Sequence, residues 1–130
     1  MTPDIDFGIR QSDLDAARVA FEVGGFKIEG ASFRYADSSR RRSAIHLVFV
    51  NEKVQPDDLE PVPASEPVVT KEGVLIAPVV DLVHMKLTSY RLKDQVHIQD
   101  LDHARLITPE IEQTLSEPLL ARLKEVRSKR

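Results

Sequence analysis

An α+β architecture, a small mixed sheet followed by a helical region, is what this sequence predicts. Three observations carry it. Short alternating or apolar segments are confined to residues 1–76, and residues 43–50 form a nearly continuous apolar run. From Pro78 onward apolar residues recur at spacings of three and four, with capping signals between the segments. A loop rich in proline and acid, residues 52–67, lies between the two patterns. The 130 residues suit one domain, with the sheet part at 1–76 and the helical part at 77–130.

Each element has a local reason. Residues 5–10 form the first strand candidate, preceded by Asp4. Ser12 or Asp13 can cap a helix running to about Val23, with Leu14, Ala17, Val19, Ala20 and Phe21 as its apolar positions. Gly24-Gly25 ends that helix. Residues 26–35 read as one strand, and Asp37-Ser38-Ser39 as a turn. Residues 43–50, apolar on both faces, belong in the middle of the sheet. A short strand pair brackets Gly73. Helices follow at about 78–91 and 93–106. Thr108-Pro109-Glu110 opens a third, and Ser116-Glu117-Pro118 a fourth with a basic end.

Composition excludes several classes. There is no cysteine, so disulfides, thiolate metal sites and cysteine nucleophiles are out. The net charge of −3 gives no general attraction to nucleic acid, and few aromatics leave no base-stacking surface. Arg40-Arg41-Arg42 and the C-terminal tail are the local basic clusters, and a tRNA-binding reading would rest on them. No apolar run reaches the roughly 18 residues of a membrane span, and no signal peptide pattern opens the chain, so a cytoplasmic location is the default.

Two places carry candidate chemistry. Asp4 and Asp6 flank one apolar residue, and on a strand they share a face. Two carboxylates that close repel, and a divalent cation such as Mg²⁺ removes the repulsion. On the helix at 78–91, Val79, Leu82, Val83 and Tyr90 make an apolar stripe with Lys86 in its middle. Asp81, His84, Thr88 and Arg91 fall on the opposite side. Lys86 either snorkels or pairs inside the protein, or it aims a cationic charge at phosphate oxygens. Asp94, His97 and Leu101 share a face of the next helix, with Asp100 beside it. Asp94 or Asp100 can pair with Lys86 or Arg91 across the helix contact, the plain expectation being a surface charge network.

Three stretches resemble the nucleotidyltransferase fold superfamily, in particular its small bacterial members and abortive-infection-type toxin relatives. Thr2-Pro3-Asp4-Ile5-Asp6-Phe7 is similar to that superfamily's T-x-D-[IV]-D-[FL] strand. Residues 14–26, ending Gly-Gly-Phe, resemble the helix that follows. Residues 76–94 with Asp100-Leu101 resemble its helical P-x-D-L-x-x-x-K-L … R-x-K-D … D-[IL] region, the most specific of the three. The resemblance implies that Asp4 and Asp6 bind Mg²⁺ bridging a nucleoside triphosphate. It places Lys86 near phosphate or in support of the site, with Arg91 and Asp94 behind it. The implied activity is transfer of a nucleoside monophosphate from NTP to a hydroxyl on a small molecule, a protein or tRNA.

The chain departs from the pattern in two ways. It begins at the D-x-D, so the superfamily's preceding strand and its G-G-x-[AS] segment are not expected in the fold. Either Met1 is an internal methionine of a longer enzyme, or the chain is a remnant with weakened catalysis. Where the family places a third acid on the later central strand, this chain has His46, with Glu52 just beyond. His46 can ligate a softer metal, act as the base for the acceptor hydroxyl, or be a satisfied core residue. A sheet lacking its first strand exposes an edge, which predicts a homodimer or a protein partner. The alternative function is a non-catalytic interaction or regulatory module, antitoxin-like, on the same fold.

Overall fold

The computed structural model describes the backbone of residues 4–29, 32–35 and 44–129, and the side chains of residues 7–25 and 47–129. The chain divides into two compact units, Met1–Val54 and Gln55–Arg130. The acidic, proline-rich loop from residue 55 onward therefore belongs with the helices. The Asp37-Ser38-Ser39 turn and the Arg40-Arg41-Arg42 cluster lie outside the described residues.

The first unit is a four-stranded sheet with one helix. β1 (Asp4–Ile9) leads through a single 3₁₀ turn, Gln11–Asp13, into α1 (Leu14–Val23). Leu14, Ala17 and Phe21 are its half-buried positions, at helical spacing; Val19 and Ala20, expected on the apolar face, are exposed. The Phe21 ring meets Phe7 of β1 edge to face, with centroids 5.4 Å apart. Gly25 ends the helix with φ 94°, a conformation that costs glycine little.

Residues 26–35 are a hairpin and not the single strand expected. β2 (Phe26–Glu29) and β3 (Ser32–Tyr35) pair antiparallel. β4 (Ala44–Phe49) then pairs antiparallel with β3 and parallel with β1, giving the order β1-β4-β3-β2. The apolar run thus lies inside the sheet, as its two apolar faces require. β1 ends the order and pairs with β4 alone among the described strands.

The register divides the sheet into two chemically opposite faces. One row of partners is Asp6, His46, Ser32 and Glu29; the next row on that face is Asp4, Ala44, Arg34 and Lys27. The alternate rows hold Ile5, Ile45, Phe33 and Ile28, then Phe7 with Leu47, Ile9 with Phe49, and Phe26 with Tyr35. Because strand positions alternate, the second set is an apolar face, and the Phe7–Phe21 contact shows that α1 lies on it. The first set is the polar face.

The second unit holds the core. β5 (Val68–Val69) and β6 (Leu75–Ile76) form a two-stranded hairpin turned by Gly73 at φ 81°. Thr70 caps the turn, its hydroxyl accepting from the Val74 N–H. α2 (Val79–Ser89), α3 (Leu92–His103), the one-turn α4 (Pro109–Glu112) and α5 (Glu117–Ser128) follow. Val83, Leu87, Ile98, Ile107, Leu119, Leu123 and Val126 are buried together. Thr108 caps α4 through its hydroxyl, as its sequence signal predicts. α3 stops short of residue 106 in a Schellman turn: Leu106 N–H reaches the Leu101 carbonyl and Arg105 N–H the Asp102 carbonyl. Arg105 holds the left-handed position at φ 61°, where glycine is usual.

Candidate functional site

The sequence-predicted residues fall into two clusters, one in each unit. In the first unit, β1 carries Asp4 and Asp6 at alternate positions, and the parallel pairing sets Asp6 directly beside His46. The strand pattern explains the placement. Ile5, Phe7 and Ile9 commit one face of β1 to apolar packing, so positions 4 and 6 fall on the other. That face therefore gathers two carboxylates and one imidazole over two neighbouring strands. Gly8 follows on the same face; a Cβ there would stand 3.3 Å from Val50 Cγ1, so the position tolerates little bulk. Among residues with described side chains no group of three or more His, Asp or Glu is placed to hold a metal. Asp4, Asp6 and His46 are known by backbone register alone.

In the second unit the centre is Asp94. It is fully buried and accepts hydrogen bonds from Ser89 Oγ at 2.7 Å, the Arg91 backbone N–H at 3.0 Å, Arg91 Nε at 2.9 Å and Lys86 Nζ at 3.3 Å. Burial alone would raise its carboxyl, but the donors from Arg91, Ser89 and Lys86 outweigh it and hold Asp94 well below the usual carboxylate range. The expected surface network is thus a buried hub that locks the start of α3 to the end of α2. Asp94 has no oxygen to spare for a ligand.

Lys86 stands differently from its predicted place. The buried stripe of α2 is Val83 and Leu87, with Val79 and Tyr90 packed against the core. Lys86 flanks that stripe beside the exposed Leu82, its side chain 21% accessible and paired with Asp94. It borders an open depression with Leu82, His97, Asp100 and Leu101. Ile98, and not His97, shares the inward face of α3 with Asp94. On the supposedly polar side of α2, Asp81 and His84 are met by the acidic loop. Asp81 is 5% exposed and accepts from the Ser65 N–H at 3.0 Å. The His84 ring bridges Glu60 and Thr114, each at 2.8 Å.

The basic tail is also engaged. Arg122 donates to the Leu87 and Thr88 carbonyls at the end of α2 and lies 4.8 Å from the centre of the Tyr90 ring. Arg127 pairs with Asp102 at 2.9 Å and with Glu112. Lys129 donates to Gln95. These cations hold α5 to its neighbours. Tyr90, at left-handed φ 51°, donates its hydroxyl to Glu125. Burial and then the Glu125 carboxylate push that phenol up to about 12.

Sequence reading missed Lys27, Glu29, Ser32 and Arg34, which share the polar sheet face with Asp4, Asp6 and His46. Only the hairpin register reveals them. No protein-family model, curated protein or solved structure matched this chain when compared. No helix among the described residues is long and apolar enough to cross a membrane.

Proposed function

We propose that the chain is a nucleotidyltransferase-like domain whose metal-binding strand is β1. The reaction class is transfer of a nucleoside monophosphate from an NTP to a hydroxyl, with pyrophosphate leaving. One observation supports this reading most: the register that sets Asp6 beside His46, with Asp4 one row away on the same polar face of the sheet. Two carboxylates on one strand face are hard oxygen donors and fit Mg²⁺. The imidazole in place of a third acid fits Mg²⁺ less well and favours a first-row transition metal. When bound, such a cation would neutralise phosphate charge. Asp4 and Asp6 would hold it, with His46 as the third donor. Lys86 and Arg91 are both tied to the Asp94 carboxylate within the helical unit.

Calorimetry with Mg-ATP and Mg-CTP tests the reading. Binding by the intact chain that disappears in Asp4→Asn and Asp6→Asn supports it. Absence of binding, or binding that both variants retain, defeats it.

A second reading has its own observation. β1 ends the sheet order with Asp4–Ile9 paired on one side alone among the described strands. An unpaired strand side presents N–H and C=O groups that invite another chain. A non-catalytic interaction module, homodimeric or bound to a protein partner, uses that edge. Light scattering separates this reading from a monomeric enzyme.

A further inference from the structure

We propose that the outer edge of β6 is a self-association surface, and that its occupant is β6 of a second copy of this chain, paired antiparallel about a two-fold axis at Leu75. The surface lies within the unit Gln55–Arg130 and is independent of β1 and of the metal reading.

Backbone register shows which edge is open. Val68 pairs with Ile76 and Val69 with Leu75, and the Thr70 N–H reaches the Val74 carbonyl at 2.9 Å. Thr70 and Val74 therefore turn their backbone groups into the hairpin, as do Val68 and Ile76. By alternation Val69 and Leu75 turn theirs outward, on opposite edges. Among the described residues no backbone group meets the Leu75 N–H or C=O. The two edges differ in protection. On the β5 side, Pro67 precedes Val69 by two residues and offers no N–H, and Lys71 follows it by two. Proline and lysine are the usual guards of an edge strand. On the β6 side, the run Gly73-Val74-Leu75-Ile76-Ala77 holds neither proline nor charge.

The side chains give the edge a reason to pair. Val68, Val69, Val74, Leu75 and Ile76 are all exposed, Leu75 at 64% and Ile76 at 48%. Val69 and Leu75 share one face, Val68 and Ile76 the other, so both faces of the hairpin are apolar and open. A two-stranded hairpin in that state is marginal, and added strands stabilise it. A second copy fits because the edge complements itself. With the two Leu75 residues opposite one another, they exchange both N–H···O bonds; Val74 then faces Ile76 of the copy, and Gly73 faces Ala77. No charge opposes a like charge along that seam. The product is a four-stranded sheet, β5-β6-β6-β5, with one apolar row of Val69 and Leu75 from each copy. Five side chains at about half exposure offer on the order of a few hundred Å², short of the roughly 800 Å² per partner of a stable interface. The association is therefore weak and concentration-dependent.

The test uses the full chain, which has no cysteine, so one introduced cysteine reports its own position. In the seam the two Leu75 Cα atoms lie about 5.5 Å apart, within disulfide reach. The two Val69 positions lie three strand spacings apart, about 14 Å. Under mild oxidation Leu75→Cys should give a disulfide-linked dimer, while Val69→Cys and the more exposed Leu92→Cys should remain monomeric. Sedimentation equilibrium should show a monomer–dimer equilibrium for wild type. Leu75→Lys sets two like charges on the axis and should weaken it roughly tenfold or more. Val69→Thr should leave it unchanged. Circular dichroism checks that each variant keeps its fold, and the cross-link needs no destabilising change at the seam. Wild type monomeric at millimolar concentration overturns the proposal, even if the chain then binds another protein. Equal cross-linking of Leu75→Cys and Leu92→Cys also overturns it. A dimer indifferent to Leu75→Lys places the seam elsewhere, which sinks this inference and spares pairing through β1.

Discussion

Asp94 illustrates how one buried carboxylate fixes a junction between two helices. Four donor groups converge on it while it has no contact with solvent. Replacing it by Asn keeps the shape and removes the charge that Lys86 and Arg91 need. The cations left behind can reach water, Arg91 being 60% exposed, so the loss is that of charged hydrogen bonds, and Asp94→Asn should lose about 2 kcal/mol in denaturant unfolding. The pH dependence has a definite sign. Asp94 titrates lower in the folded state than in the unfolded one, so its stabilisation is present above the ordinary Asp value of 3.8 and fades as pH falls below it. The acid unfolding of Asp94→Asn should therefore be flatter below pH 4 than that of wild type. Tyr90 has the opposite sense. Its folded phenol titrates at about 12 against 10.0, so its contribution holds below pH 10 and is lost as pH rises toward 12. Tyr90→Phe should remove that alkaline loss in a pH series of melting temperatures.

Elements were legible where local chemistry alone decides them. Thr108 with Pro109, the glycines after α1, and the hairpin around Gly73 are each set by residues within one turn. Position 105 shows the converse. α3 ends in a Schellman turn although no glycine announces it, and Arg105 takes the left-handed conformation under the demand of the Leu101–Leu106 closure. An L residue pays about 1 kcal/mol there. Arg105→Gly should therefore raise stability by about 0.5–1 kcal/mol in urea unfolding, provided the helix itself is unchanged by circular dichroism. The β2–β3 hairpin was missed although Gly30-Ala31 stands between its strands, because one glycine in an alternating run is easily read as part of a longer strand. The site followed suit. Asp4 and Asp6 were readable as an alternating pair, whereas the pairing of Asp6 with His46 required the register. Lys86 was misplaced on its wheel because Leu82 is 37% exposed, so apolar identity overstated burial on that side.

At the scale of the whole molecule the chain is two units with different kinds of order. The helical unit closes a core of seven residues, five of them on α2 and α5 at full burial: Val83, Leu87, Leu119, Leu123 and Val126. Arg122 and Arg127 tie its last helix to three others, so residues 55–130 have the means to fold alone. Expressed separately, that segment should melt cooperatively by circular dichroism; a non-cooperative melt would show that it depends on the first unit. The sheet unit carries the proposed metal face, with Asp4, Asp6 and His46 on neighbouring strands. The central claim is that Asp4, Asp6 and His46 together bind a divalent metal. The most direct measurement is Mn²⁺ titration followed by electron paramagnetic resonance, with nitrogen coupling read by electron spin-echo modulation. The account predicts loss of the free Mn²⁺ signal on adding wild type, nitrogen coupling that vanishes in His46→Asp, and no binding in Asp4→Asn/Asp6→Asn. Unchanged free Mn²⁺ in the presence of wild type, or binding that survives the loss of both aspartates, would contradict it.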